Sequence, residues 1–244
     1  NSSRKQQVKS VPLAKMPDGR QRGLSRRTPS DHPTSRLPLR IRSTASTGQA
    51  DAVDPRARGT LMHAWFEQIH WLDRDSRPSP EQLRLIANEP FIRDLRLSEK
   101  GLESLMTEFL KMLDLPATQA ALTESAALER FAQHAGLADI SRVNMQVEIE
   151  RPFVYREYGH IVRGTIDRLV IAEQSGKSVA AEVIDFKTDR MFGEYDAWIA
   201  QKQNAYANQL QDYRMAVSRC FGIPGHCITT SLLLLEADSC VEVL

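Results

Sequence analysis

Cysteine is scarce in these 244 residues, and its three copies, Cys220, Cys227 and Cys240, are odd in number and lack C-x-x-C spacing. That argues against a disulfide framework, a zinc ribbon or a four-cysteine iron–sulfur cluster, and it fits a reducing compartment. No apolar run approaches the roughly 18 residues of a membrane span. The N-terminus is basic but has no apolar stretch of the kind that makes a secretory signal. The phosphate-cradling pattern G-x-x-x-x-G-K-[ST] is missing, so no ATP motor of that type lies in this stretch. The chain opens on Asn1 instead of Met, as expected of a fragment or a processed chain.

An excess of basic charge is also missing from the bulk of the chain. The total is 32 Lys/Arg against 31 Asp/Glu, a net of +1. Residues 1–43 hold eleven of the basic groups against only Asp18 and Asp31, which leaves 21 basic and 29 acidic groups elsewhere, a net of −8. A body with that balance does not coat nucleic acid by charge alone. Any such partner must enter a local channel, helped by bound cations or by other parts of a larger protein.

What is present divides into three stretches. Residues 1–55 are rich in Arg, Ser, Pro, Gly and Gln, show no sustained period, and read as a basic linker or tail, disordered in isolation. Residues 56–244 form the globular part. Its first half is a helical cluster. Leu61, Trp65, Ile69 and Leu72 fall at helical spacing over Ala57–Asp73, and Ser79-Pro80 reads as a cap opening a helix through Asn88. Further helices are expected over Glu99–Leu113 and 117–135. The period then changes. Gln146–Tyr155, Ile161–Ala172 and Val179–Phe186 read as three sequential, mostly antiparallel strands. A long helix over Tyr195–Phe221 closes at Gly222, Thr229–Leu235 reads as a buried strand, and Cys240–Val243 as an edge. The order predicts an α/β (α+β) fold with a central mixed sheet flanked by helices.

Polar residues stand out against this pattern: His63 in the first helix, Asp167 in the second strand, and Asp185 and Lys187 at the end of the third. Strand alternation points Asp185 and Lys187 the same way and Glu182 the opposite way. Counting back from a turn near Glu173–Ser178 brings Asp167 within reach of Asp185. Two carboxylates that close repel, and a divalent cation between them makes the arrangement favourable. An oxygen-rich cation pocket with an ammonium beside it is what metal-dependent phosphodiester hydrolysis requires. Gln209 and Tyr213, four apart on the long helix, share a face with Tyr206 one turn earlier.

Five segments then occur in a fixed order: G-T-x-x-H at Gly59–His63, E-x-P-F at Glu150–Phe153, G-x-I-D at Gly164–Asp167, D-x-K-T-D at Asp185–Asp189, and Y-x-x-Q-L-x-x-Y at Tyr206–Tyr213. From about Arg58 onward the chain resembles the PD-(D/E)xK nuclease superfamily in its RecB/AddA-like branch. The resemblance implies a restriction-endonuclease-like core behind an N-terminal helical cluster. It implies His63, Asp167, Asp185 and the backbone carbonyl of Phe186 as metal ligands, with Asp167, Asp185 and Lys187 catalytic. Magnesium is the expected ion, with manganese also suited to an imidazole ligand. Gln209, Tyr213, Tyr206, Thr188 and Glu150 are expected to support the site or touch DNA. Arg151, Arg156, Arg163, Arg168, Arg190 and Lys202 are the basic candidates near it.

The implied function is a Mg²⁺-dependent deoxyribonuclease, exonuclease before endonuclease. It would be the C-terminal domain of an ATP-dependent helicase–nuclease in double-strand-break repair and recombination. DNA, motor domains upstream on the same chain and a second subunit are the implied partners, with a cytoplasmic, nucleoid-associated setting and no membrane. The alternatives are a nuclease-like module that binds DNA or a partner without cutting, and a stand-alone nuclease of the same type.

Overall fold

The structure, a computed structural model, describes residues 25–29, 53–95, 97–134 and 142–243. Of the stretch expected to be a tail, residues 1–24 and 30–52 lie outside these. Ser25–Arg27 forms a short strand, β1.

The helical half follows its capping signals. Helix α1 (Pro55–Phe66) starts at Asp54, whose side chain accepts the Arg56 N–H at 3.0 Å. Helix α2 (Pro80–Ala87) opens on a reciprocal capping box. The Gln82 N–H donates to Ser79 Oγ at 3.3 Å, and the Ser79 N–H donates to Gln82 Oε1 at 2.7 Å, so two orphan donors of the first turn are satisfied together. A short helix α3 (Pro90–Arg93) follows. Helix α4 (Glu99–Met112) is capped by Ser98, which accepts the Gly101 N–H at 3.1 Å.

Two helical expectations are corrected. The segment 57–73 is not one helix. It ends at Phe66, and beyond it the carbonyls of Ile69 and His70 turn to accept hydrogen bonds from the Arg168 guanidinium. Likewise, 117–135 is broken into α5 (Pro116–Leu122) and α6 (Glu124–His134), because Thr123 is extended (ψ 143°). Asp73 fixes the break, accepting the N–H groups of Glu124 and Ser125 at 2.9 and 3.0 Å. It serves as the N-terminal cap of α6 from a distant part of the chain.

The sheet is six-stranded and mixed. Strands β2 (Val143–Glu157), β3 (His160–Gln174) and β4 (Lys177–Lys187) form an antiparallel meander. Both connections are two-residue turns with left-handed backbones, Tyr158-Gly159 (φ 43° and 83°) and Ser175-Gly176 (φ 53° and 75°). Such turns match the twist of the strands they join. Helix α7 (Tyr195–Phe221) then crosses over to β5 (Ile228–Leu234), which pairs parallel with β4, and β6 (Ser239–Glu242) closes that edge. Gly222 ends α7 with φ 69°, a conformation that costs a side-chain-bearing residue but not glycine.

One face of the sheet packs on α1 to α5. Phe66 stacks on Phe186 at 4.9 Å between centroids, and Leu233 joins the same cluster. Trp65 packs on Phe109 and ties α1 to α2 by donating Nε1–H to the Leu83 carbonyl at 3.0 Å. The other face takes α7, with Trp198, Leu210, Tyr213 and Val217 on Val183, Leu232 and Leu234. Asp167 on β3 and Asp185 and Lys187 on β4 lie in the sheet between these two layers.

Candidate active site

Strands β3 and β4 shift register between Glu173 and Ala172, then pair down to Arg168 opposite Ile184 and no further. Beyond that point β4 holds to β5, with Asp185 opposite Leu232 and Lys187 opposite Leu234. Asp167 bridges the parting with its side chain. Its Oδ2 accepts the Phe186 N–H at 2.8 Å, which satisfies a donor that the diverging ladder would otherwise orphan.

A second distortion lies on the other side of Asp167. Glu150, opposite it on β2, has φ 47°, a backbone state that a side-chain-bearing residue enters at a cost of about 1–2 kcal/mol. There the alternation of buried residues changes phase. Met145 packs with Trp71 and Phe131, whereas Phe153 and Tyr155, of the same parity, pack against α7. Strand β3 shifts with it, since Ile166 and Leu169, three apart, both face α7. The shift sends Arg168 toward the helical layer. Its side chain is buried, donates to Ile69 and His70, and lies 5.0 Å from the Trp71 ring centroid. Arg168 is therefore a tie between the segment after α1 and β3, not a contact for DNA.

These distortions converge on one cluster. Ligand atoms of His63, Glu150 and Asp167 all lie within 4.8 Å of one another, and His63 Nδ1 is 3.7 Å from Asp167 Oδ2. Among the described residues this is the group spaced to share one ion. A hard divalent ion of radius suited to oxygen and imidazole ligands at about 2.1 Å sets its ligands about 3–4.2 Å apart, so the donor set fits such an ion. The cluster opens into a hollow of about 530 Å³ that Glu67 and Glu89 also line. Burial, reinforced by Asp167, Glu67 and Asp185, pushes the Glu150 carboxyl up to about 7.

Asp185 lies outside that three-residue group. It is buried, its Oδ1 accepts Gln209 Nε2 at 3.0 Å, and its Oδ2 is paired with Lys187 Nζ. Burial makes its carboxyl a weaker acid, raising its pKa above the ordinary carboxylate value; Lys187 works against that rise, and Asp167 adds to it. Lys187 answers in kind. Burial alone would lower its affinity for a proton, but the attraction of Asp185 and Asp167 overrides it and holds the ammonium charged. Its side chain is mostly buried.

The supporting residues fall close to their expected places, with different partners. Gln209 holds Asp185 and not the lysine, and its Nε2 also lies 2.7 Å from Tyr213 Oη. Both residues are buried. Tyr206 carries the lysine instead, with Nζ 4.3 Å from its ring centroid. Thr188 gives its carbonyl to Arg58 Nη1 at 2.8 Å. Glu182 faces away, as alternation implied, and pairs with Arg130 at 2.7 Å. Of the basic candidates, Lys202 is buried and bound to Asp189 at 2.7 Å, and Arg151 pairs with Glu148 at 3.1 Å. The sequence reading gave no role to Arg58. It is buried and pairs with Glu108 and Glu236. Its place in the first turn of the helix carrying His63 was the available signal.

A family model described as the PD-(D/E)XK nuclease superfamily matches residues 36–235. No curated protein matches the chain. Among the described residues, no helix is long and apolar enough to cross a membrane.

Proposed function

The chain belongs to the PD-(D/E)XK nuclease superfamily, and on that premise we propose that it is a divalent-metal-dependent deoxyribonuclease, with Mg²⁺ as its working ion. The observation that carries this reading is the juxtaposition of two sets on diverging strands. One is the His63–Glu150–Asp167 cluster. The other is the Asp185–Lys187 pair, linked to the first through Asp167 and the Phe186 N–H.

His63, Asp167 and Glu150 would hold the ion, with Asp185 and the Phe186 carbonyl at its border. Such an ion supplies Lewis-acid polarisation of the scissile phosphate and eases ionisation of the attacking water. Lys187 keeps its proton, so it offers a fixed positive charge to the phosphate oxygens as negative charge gathers on them. Asp185 and the Tyr206 ring hold Nζ from two sides. Gln209 in turn fixes the Asp185 carboxylate. This preorganisation removes the need to orient the ammonium during the reaction.

The five-segment order from Gly59 to Tyr213 supports a finer reading: the nuclease domain of a RecB/AddA-type helicase–nuclease in double-strand-break processing, acting as an exonuclease in the nucleoid. Motor domains on the same chain and a partner subunit would then feed it DNA. Cleavage of end-labelled DNA in Mg²⁺, in EDTA, and by Asp185→Asn tests the core of the proposal. Cutting that needs both the ion and Asp185 is expected. DNA binding without cutting in every condition would instead identify a non-cleaving module.

A further inference from the structure

The segment just past the reacting lysine carries a feature that hydrolysis does not use. Met191, Phe192 and Tyr195 are 41 %, 71 % and 44 % exposed, and Arg190 beside them is exposed too. The other large exposed apolar side chains among the described residues, Leu85, Val154 and Tyr158, stand singly on separate elements. Isolated exposed apolar residues are ordinary, whereas a group of them on one segment marks a candidate binding surface.

The stem of this segment is held from both sides. Arg58 of α1 donates to the Thr188 carbonyl at 2.8 Å. Asp189 is gripped by Lys202 Nζ at 2.7 Å and accepts from Tyr206 Oη at 3.3 Å, both on α7. Tyr206 is also the ring that carries Lys187. Gly193, with φ 80°, turns the chain back into α7. Arg190, Met191 and Phe192 therefore follow directly on a fixed stem whose Asp189 is one side chain, Tyr206, away from the reacting ammonium.

We propose that Phe192 and Tyr195 form a stacking surface for unpaired bases next to the scissile phosphate, with Arg190 against an adjoining phosphate. The inference rests on the nuclease reading above and names the residues by which that site grips its strand. Five residues of chain reach at most about 17 Å, so Phe192 lies within the span of a few nucleotides from a phosphate held at Lys187. Charge alone is a poor source of grip here. The chain beyond residue 43 is acidic on balance, and Glu67, Glu89, Glu150 and Asp167 line the hollow itself. Stacking on an aromatic face strengthens binding roughly 5- to 100-fold per base and accepts any base. Bases inside a duplex are already stacked, so the surface selects a strand whose bases are free. A protein interface of ordinary size buries about 800 Å² on each partner, far more than three side chains flanked by the Asp189–Lys202 pair present.

The test is fluorescence anisotropy with two labelled 12-nucleotide single strands, one ordinary and one with abasic sites throughout, in EDTA to hold off cleavage. Wild type is expected to bind the ordinary strand at least tenfold more tightly. Phe192→Ala should lose most of that preference, Phe192→Trp should keep it, and the salt dependence should not change among the three. Equal binding of the two strands by wild type, or an undiminished preference in Phe192→Ala, would overturn the proposal. An effect of Phe192→Ala confined to association with another protein would do the same. Hydrolysis of methyl p-nitrophenyl phosphate, a phosphodiester without a base, by wild type and Asp185→Asn in Mg²⁺ tests the nuclease reading alone. Its failure there would leave the binding comparison to decide the stacking surface by itself.

Discussion

Glu150 and Asp167 occupy the one position that the β2–β3 ladder skips, between the pairs Ile149–Arg168 and Arg151–Ile166, and Glu150 is the only residue of β2 with a left-handed backbone. The strain sits where two carboxylates and an imidazole meet. Strain of this kind persists only where the surrounding structure over-determines it. Here the continuous pairing on both sides, Ile149 with Arg168 and Arg151 with Ile166, holds the distortion in place.

If Glu150 helps to hold the ion, Glu150→Gln should weaken Mn²⁺ binding at least about tenfold, the scale on which even supporting groups of a metal site act. Isothermal titration of the two proteins checks this. Equal affinities would remove Glu150 from the ligand set.

The same carboxyl gives a pH dependence whose sign follows from its shift. Its folded-state value, about 7, lies above the ordinary 4.5, so the folded protein holds this proton more tightly than the unfolded chain does. The metal-free protein should therefore lose stability as pH rises from about 4.5 to 7, and Glu150→Gln should lose less over that window. Ion binding should strengthen over the same range, because the ligand must shed its proton. Melting curves in EDTA at pH 5, 6, 7 and 8 measure the first effect. Parallel curves for the two proteins would contradict it.

Single and double changes at Asp185 and Lys187 should separate folding from chemistry. Lys187→Met leaves a buried carboxylate without its counter-charge and should cost about 3–5 kcal/mol. Adding Asp185→Asn removes that charge and should recover much of the loss. Cleavage should be absent in all three variants. A double variant no more stable than Lys187→Met would show that the pair does not act as a unit in denaturant titrations.

Arg168 joins the segment that follows the His63 helix to the strand bearing Asp167. Arg168→Met should leave the carbonyls of Ile69 and His70 short of a buried donor and cost about 2–4 kcal/mol. Ion affinity should fall with it. Unchanged affinity in a destabilised variant would confine Arg168 to the fold.

Much of this was legible in the chain because it was written locally. The Ser79–Gln82 box, the αL stop at Gly222, and the tandem strands with turn residues between them each depend on neighbours in sequence. The Asp167–Asp185 proximity followed from counting back from a two-residue turn. Distant partners hid the rest. Asp73 breaks the helix at Thr123, and Arg168 ends α1 early by taking its trailing carbonyls. Strict alternation would have put Asp167 on the same face as Leu169. The phase change at Glu150 prevents that, and a Glu in a strand gives no warning of a positive φ.

Strand β1 bears on where this domain can be trimmed. Arg27 reaches from it to Asp212 of α7 at 2.8 Å, and Tyr155 Oη donates to the same carboxylate at 3.0 Å. Asp212 is only 5 % exposed, and Pro29 lies against Gly164 so closely that a Cβ there would meet its ring at 3.0 Å. A fragment cut at the change in composition near Pro55 would bare the end of β3 and strip a cation from a sequestered acid three positions along α7 from Gln209. Weak or aggregating behaviour of such a fragment would then report on the missing strand, not on the enzyme.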